Sequence, residues 1–240
     1  MTRSMIGPAE TEAATAPRIG MLGGTFDPVH LGHLRSAVEL YEHLALDRLH
    51  MIPAPQPPLR GRPQVAAEAR LSLLEAGIGD TPGLYADGRE LKRAGPSYSA
   101  DTLAELRAEY GDDARLVMAL GEDAFSRLAD WHDPERLFAL AHIVVIARPG
   151  YPIAQTQRLG ELIGQREVAD ASALMQTPHG GLLRVTLPSR MAISATEIRR
   201  RLQQGESVRY LLPEAVERAA VARQLYQTND YPTDGCQAGE

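Results

Sequence analysis

The 240-residue chain has one cysteine, Cys236, and one tryptophan, Trp131. A lone cysteine cannot close an internal disulfide, which fits a reducing, cytoplasmic setting. No apolar run approaches the roughly 20 residues that span a bilayer, so no membrane role is expected. The opening MTRSMIGPAETEAATAP lacks the apolar core of a secretory signal and reads as a disordered leader, residues 1–17. Residues 227–240 read as a flexible tail. Positive charge is also short: 25 Lys and Arg against 31 Asp and Glu leave a net charge of −6. Broad nucleic-acid binding needs a basic face and is therefore not expected. Any anionic substrate must be met by local positive groups instead. With 44% apolar residues, the chain can bury one substantial core. It is read as a single domain over residues 18–226, its last part, 194–226, helical.

Apolar patterning gives the order of elements. Short apolar runs at Arg18–Leu22, Leu49–Ile52, Leu84–Ala86, Arg115–Leu120, His142–Ala147 and Leu182–Leu187 read as strands. Several are continuous, as in a sheet covered on both faces. Helices are expected at about Leu31–Leu44, Val65–Ala76, Ser99–Tyr110, Ala195–Gln203 and Pro213–Gln224. Gly111 supplies a stop for the third. The proline-rich PAPQPPLRGRPQ cannot be a regular element, because its prolines lack donors. Residues 150–180 show no clear pattern. Strands alternating with helices argue for a parallel, doubly wound α/β sheet, whose ligands sit beyond the carboxyl ends of the strands.

Residues 23–34, GGTFDPVHLGHL, carry the most chemistry. Gly23 and Gly24 let the backbone approach a phosphate without an intervening Cβ. Thr25 and Phe26 follow in the turn, and the helix start offers N–H groups and a positive dipole end. His30 and His33, three apart, would face one phosphate from the same side of the first turn. A second motif, ISATEIR at residues 193–199, comes much later. Ser194 and Glu197 make a capping box. Thr196 and Arg199 remain, and a hydroxyl with a guanidinium fork suits phosphate oxygens. Arg200 and Arg201 add positive potential or are simply solvated. Trp131 lies in a polar setting, where an indole can stack on a flat heteroaromatic ring.

The first motif resembles the H-x-G-H box of the nucleotidyltransferases, and His30 at its first position points to the nicotinate-nucleotide adenylyltransferase branch. ISATEIR resembles that family's I-S-[ST]-T-x-I-R segment, with Ala195 where the family usually has Ser. SVRYLLPEAV (Ser207–Val216), ELKRAGPSYSADTL (Glu90–Leu103), GEDAFSRLADWHDPERL (Gly121–Leu137) and Ala147–Gly150 resemble further family segments. The family's P-P-H-[KR] is Pro57-Pro58-Leu59-Arg60 here, which keeps a cation and loses an imidazole. In order, the resemblance runs from about Arg18 to Val221.

The resemblance implies a Rossmann-like nucleotidyltransferase fold and transfer of the adenylyl group of ATP to nicotinate mononucleotide, with Mg²⁺ bound mainly through the ATP phosphates. It implies catalytic roles for His30, His33 and Arg199. ATP would be held by Gly23, Gly24, Thr25, Phe26, Asp123, Ser194, Thr196 and Arg199. The mononucleotide would meet Tyr98, Ser99, Trp131 and Arg148. Nicotinamide mononucleotide or phosphopantetheine as acceptor, and a non-catalytic nucleotide-binding regulator, are the alternatives. A class I aminoacyl-tRNA synthetase would need a longer chain with a late KMSKS-type loop. Whether the chain forms a homo-oligomer is left open.

Overall fold

The structure, a computed structural model, describes residues 16–55, 63–147, 156–189 and 191–227. Strand β1 (Arg18–Gly24) leads through helix α1 (Leu31–His43) to β2 (Arg48–Pro53), and α2 (Ala67–Ile78) leads on to the short β3 (Leu84–Ala86). Helix α3 (Ser99–Tyr110) carries the chain back across the sheet to β4 (Arg115–Gly121). Then come α4 (Glu122–Phe125), α5 (Pro134–Leu140), β5 (His142–Ile146), α6 (Gln157–Ile163), α7 (Ala171–Leu174) and β6 (Leu182–Val185). Helices α8 (Ala195–Gln203) and α9 (Glu214–Ala222) follow.

The six strands are parallel, in the order β3-β2-β1-β4-β5-β6. The chain winds outward from β1 to one edge and from β4 to the other, so the switch point falls between β1 and β4. Alternation along each strand divides the interior in two. On β4, Val117 and Ala119 join the core under α1, α2, α8 and α9, while Leu116, Met118 and Leu120 join the core under α3, α5 and α6. Both faces are buried, which is why the strands read as unbroken apolar runs. Among the described residues no helix is long and apolar enough to cross a membrane.

The strands and long helices fall close to their expected places. Helix α2 begins two residues later than expected, and α3 does end at Gly111, whose φ of 86° suits glycine. Short helices went unread. The unpatterned stretch contains α6 and α7, whose caps Thr156 and Asp170 accept hydrogen bonds from the Leu159 and Ala173 amides. Helix α5 starts at Pro134 after Asp133 turns through a φ of 50°. Residues 56–62, with Leu59 and Arg60, lie outside the described residues, as do Arg148, Cys236 and most of the expected leader and tail.

One buried histidine makes the fold sensitive to acid. His142 opens β5 with no exposure. Its Nδ1 accepts from the Gly181 amide at 3.0 Å, so the neutral ring carries its proton on Nε2 and donates to the Thr177 carbonyl at 2.8 Å. Burial pulls its pKa down from 6.5 to about 4, the Thr177 carbonyl opposing. The unfolded chain therefore takes up a proton as pH falls below 6.5, and the folded chain only near 4. Stability is full above that window and declines through it, by about 3 kcal/mol. Urea unfolding between pH 7 and pH 4 should show this decline, and His142→Asn should remove most of it. An unchanged pH slope in the variant would contradict this account.

Candidate active site

The loop between β1 and α1 is shaped around one aromatic ring. Phe26 is buried, at a φ of 47°, and its ring meets His33 edge-on with centroids 5.2 Å apart. A Cβ on Gly24 would lie 2.9 Å from that ring, whereas one on Gly23 would meet nothing closer than 3.9 Å. Gly24 thus has a packing role as well: its missing Cβ makes room for Phe26. Gly23, exposed at the end of β1, keeps the open approach. The Asp27–Pro28 peptide is cis.

His30 stands just outside the helix, as the N-cap of α1. Its Nδ1 accepts from the His33 amide at 3.3 Å, so in the neutral ring the proton sits on Nε2 as a donor. The two imidazoles stack face to face, centroids 3.6 Å apart and 19° from parallel. They do share one side, as expected, but by stacking of the cap on the first turn. The amides at this helix start are partly taken up by protein: Leu31 N–H donates to the Leu211 carbonyl at 3.0 Å.

The second motif closes on the first. Arg199 donates from Nη1 to the Asp27 carbonyl at 2.8 Å and from Nη2 to Thr196 Oγ1 at 3.3 Å. A Cβ on Gly32 would lie 3.1 Å from His30 Nδ1 and 3.6 Å from Ile193 Cβ, so this glycine admits both the ring and the second motif. Glu39, buried on α1, accepts from the Ser189 amide at 3.1 Å and from Arg35 Nε at 2.8 Å. Burial would raise its pKa, yet the Ser189 and Arg35 hydrogen bonds hold it below the usual carboxylate value. The expected capping box does not form. Ser194 occupies the N-cap without a side-chain bond, and Glu197 turns instead to Arg200 at 2.7 Å and Arg201 at 2.9 Å. Glu206 also pairs with both arginines. Their charge is spent on carboxylates, leaving Arg199 as the arginine of this helix that faces the loop.

Tyr98 caps α3, Ser99 is its first residue, and the Tyr98 ring stacks on His132 with centroids 4.1 Å apart. Next to His132, Trp131 ends a 3₁₀ turn (Leu128–Asp130). It is half-buried against the core under α3 and α5, so its setting is less polar than its sequence neighbours suggested. The preceding loop is braced by Arg93, which donates to Ser97 Oγ at 3.0 Å and Thr102 Oγ1 at 2.8 Å. Asp123 is exposed on α4, directly beyond the end of β4.

A family model described as cytidylyltransferase-like matches residues 21–201. The probable nicotinate-nucleotide adenylyltransferase of Chromohalobacter salexigens is 63% identical over 213 residues, covering 89% of this chain and 97% of that one. This chain belongs to the nicotinate-nucleotide adenylyltransferase family. The corresponding probable enzyme of Pseudomonas paraeruginosa is 45% identical over 210 residues, covering 88% and 97%. The solved Plasmodium falciparum nicotinic acid mononucleotide adenylyltransferase complexed with NaAD superposes with a TM-score of 0.64 at 13% identity, covering 89% and 98%. At that identity it supports the fold alone.

Sequence reading missed two features of this adenylyltransferase. His132 left no pattern beyond its place beside Trp131. Arg70 did leave one: an arginine on the apolar stripe of α2 with Leu73, Leu74 and Ile78. The glycine pair offers a test. Gly24→Ala should lower the melting temperature by displacing the Phe26 ring. Gly23→Ala should leave it unchanged while weakening ATP binding, read by calorimetry. The reverse pattern would contradict the roles given to the two glycines.

Proposed function

We propose that this adenylyltransferase transfers the adenylyl group of ATP to nicotinate mononucleotide, giving deamido-NAD and pyrophosphate, a step of NAD biosynthesis. The observation that supports this most is the 2.8 Å hydrogen bond from Arg199 to the Asp27 carbonyl. It joins the H-x-G-H loop to the ISATEIR helix and so sets Arg199 beside the loop that carries the two histidines.

In this reading an oxygen of the mononucleotide's 5′-phosphate attacks the α-phosphorus of ATP in line. The bond from that phosphorus to the β-bridging oxygen breaks, and pyrophosphate leaves with the electron pair. The nucleophile is already an anion, so no general base is needed and the work is positioning and charge stabilisation. His30 and His33 donate to the α-phosphate, and their stack fixes both rings in one direction. Gly23 supplies the open approach, the turn at Gly24, Thr25 and Phe26 cradles phosphate, and Ser194, Thr196 and Arg199 hold the β- and γ-phosphates. Asp123 meets the adenosine part. Trp131 stacks on the pyridine ring, with Tyr98, Ser99 and Arg148 around the mononucleotide.

No three His, Cys, Asp or Glu side chains cluster as a metal cage among the described residues. Mg²⁺ is read as part of the substrate, as Mg–ATP, bound mainly through the ATP phosphates. We place the enzyme in the cytoplasm as a single catalytic domain over residues 18–226, with small-molecule partners and no nucleic acid. The test is pyrophosphate release from Mg–ATP with a panel of acceptors. Nicotinate mononucleotide should give the highest kcat/KM. A higher value with nicotinamide mononucleotide or phosphopantetheine, or no release with any acceptor, would overturn the assignment.

A further inference from the structure

Arg70 has no exposed surface. Its guanidinium donates from Nε to the Val65 carbonyl at 3.1 Å, from Nη1 to the Thr25 carbonyl, and from Nη2 to the Ala54 and Pro55 carbonyls at 2.8 and 2.9 Å. These four acceptors belong to three segments: the phosphate-loop candidate after β1, the loop after β2, and the approach to α2. Burying a guanidinium is costly unless its donors are satisfied. An apolar side chain of the same size would fill this space but leave these four carbonyls without their donors. What the arginine adds is direction, because its planar fork sets the angle of each carbonyl it holds.

The Thr25 carbonyl is the informative one. In a planar trans peptide the C=O and the following N–H point opposite ways. Drawing the Thr25 oxygen inward to Arg70 therefore turns the Phe26 N–H away from the core. Phe26 also sits at a φ of 47°, a region that non-glycine residues occupy only when their surroundings hold them there. Turns of this kind present backbone N–H groups to anions. Arg199 holds the carbonyl of Asp27, two residues on, from the second motif. Two arginines thus grip the carbonyls on either side of Phe26, that of Thr25 from inside the core and that of Asp27 from the helix beside it.

We propose that Arg70 is a positioning residue for adenylyl transfer: by holding the Thr25, Ala54 and Pro55 carbonyls it keeps the Phe26 amide aimed at the transferring phosphate. This rests on the functional reading above. The experiment compares wild type with Arg70→Lys, which keeps a cation but loses the fork, with Arg70→Gln, and with Leu73→Ala, which weakens the same helix face but leaves the four Arg70 hydrogen bonds in place. Near-UV circular dichroism reports folding, and pyrophosphate release is measured against ATP and nicotinate mononucleotide separately.

In folded Arg70→Lys or Arg70→Gln, kcat/KM for ATP should fall by about 30-fold or more, as when an oriented donor is lost. The KM for the mononucleotide should stay within about twofold. Leu73→Ala should lose melting temperature, as core truncations do, and keep its kcat. A folded Arg70 variant with near-normal kcat/KM, an equal loss of kcat in Leu73→Ala, or failure of both Arg70 variants to fold would each overturn the proposal. Absence of turnover in wild type would instead count against the functional reading. Arg70 is then read from the binding of a non-hydrolysable ATP analogue to the folded variants: about tenfold weaker binding supports its role, and equal affinity overturns it.

Discussion

All six strands run in one direction, and a parallel strand can be followed by another only through a crossover that returns over a face of the sheet. Every helix that leaves a strand thus begins at the carboxyl edge. Helix α1 leaves β1 there with the two histidines, α4 leaves β4 there with Asp123, and α3 begins there with Tyr98 before returning to β4. Helix α8 arrives at the same edge after β6. Residues as far apart in the chain as Asp27 and Arg199 are brought to 2.8 Å by this one constraint.

Polar groups buried behind the loop then fix its shape. Arg70, Glu39 and Asp27 are all nearly inaccessible to water. Arg70 spends its donors on backbone carbonyls, Glu39 holds Ser189 and Arg35, and Asp27 accepts from the Gln64 amide at 2.9 Å. Such networks contribute little net stability, since the desolvation they cost offsets most of what their bonds return. They do make one backbone conformation much better than its neighbours. That suits a reaction whose nucleophile is already charged and whose barrier is lowered by donors already in place.

The strands and long helices were legible because burial on both faces leaves continuous apolar runs, and because α1, α3 and α8 span enough turns to show a period. Helices α4 to α7 have four to seven residues each. Two turns or fewer cannot display a stripe, and packing decides them. The site was legible as motifs but not as geometry. Gly24 reads only as phosphate clearance, and the Phe26 ring that also needs its missing Cβ is invisible in the sequence. Ser194 and Glu197 read as a cap until Arg200 and Arg201 are seen to take the carboxylate. In both cases the deciding partner is one that sequence spacing does not reveal.

The central claim is that the histidines stabilise charge in a single displacement and never carry the adenylyl group. The stereochemical course at phosphorus tests it most directly, using ATP made chiral with sulfur at the α-phosphorus and determining the configuration of the dinucleotide product. One in-line attack by the acceptor phosphate predicts inversion. Retention would require two displacements, with an adenylylated side chain such as His30 or His33 between them, and would contradict the account.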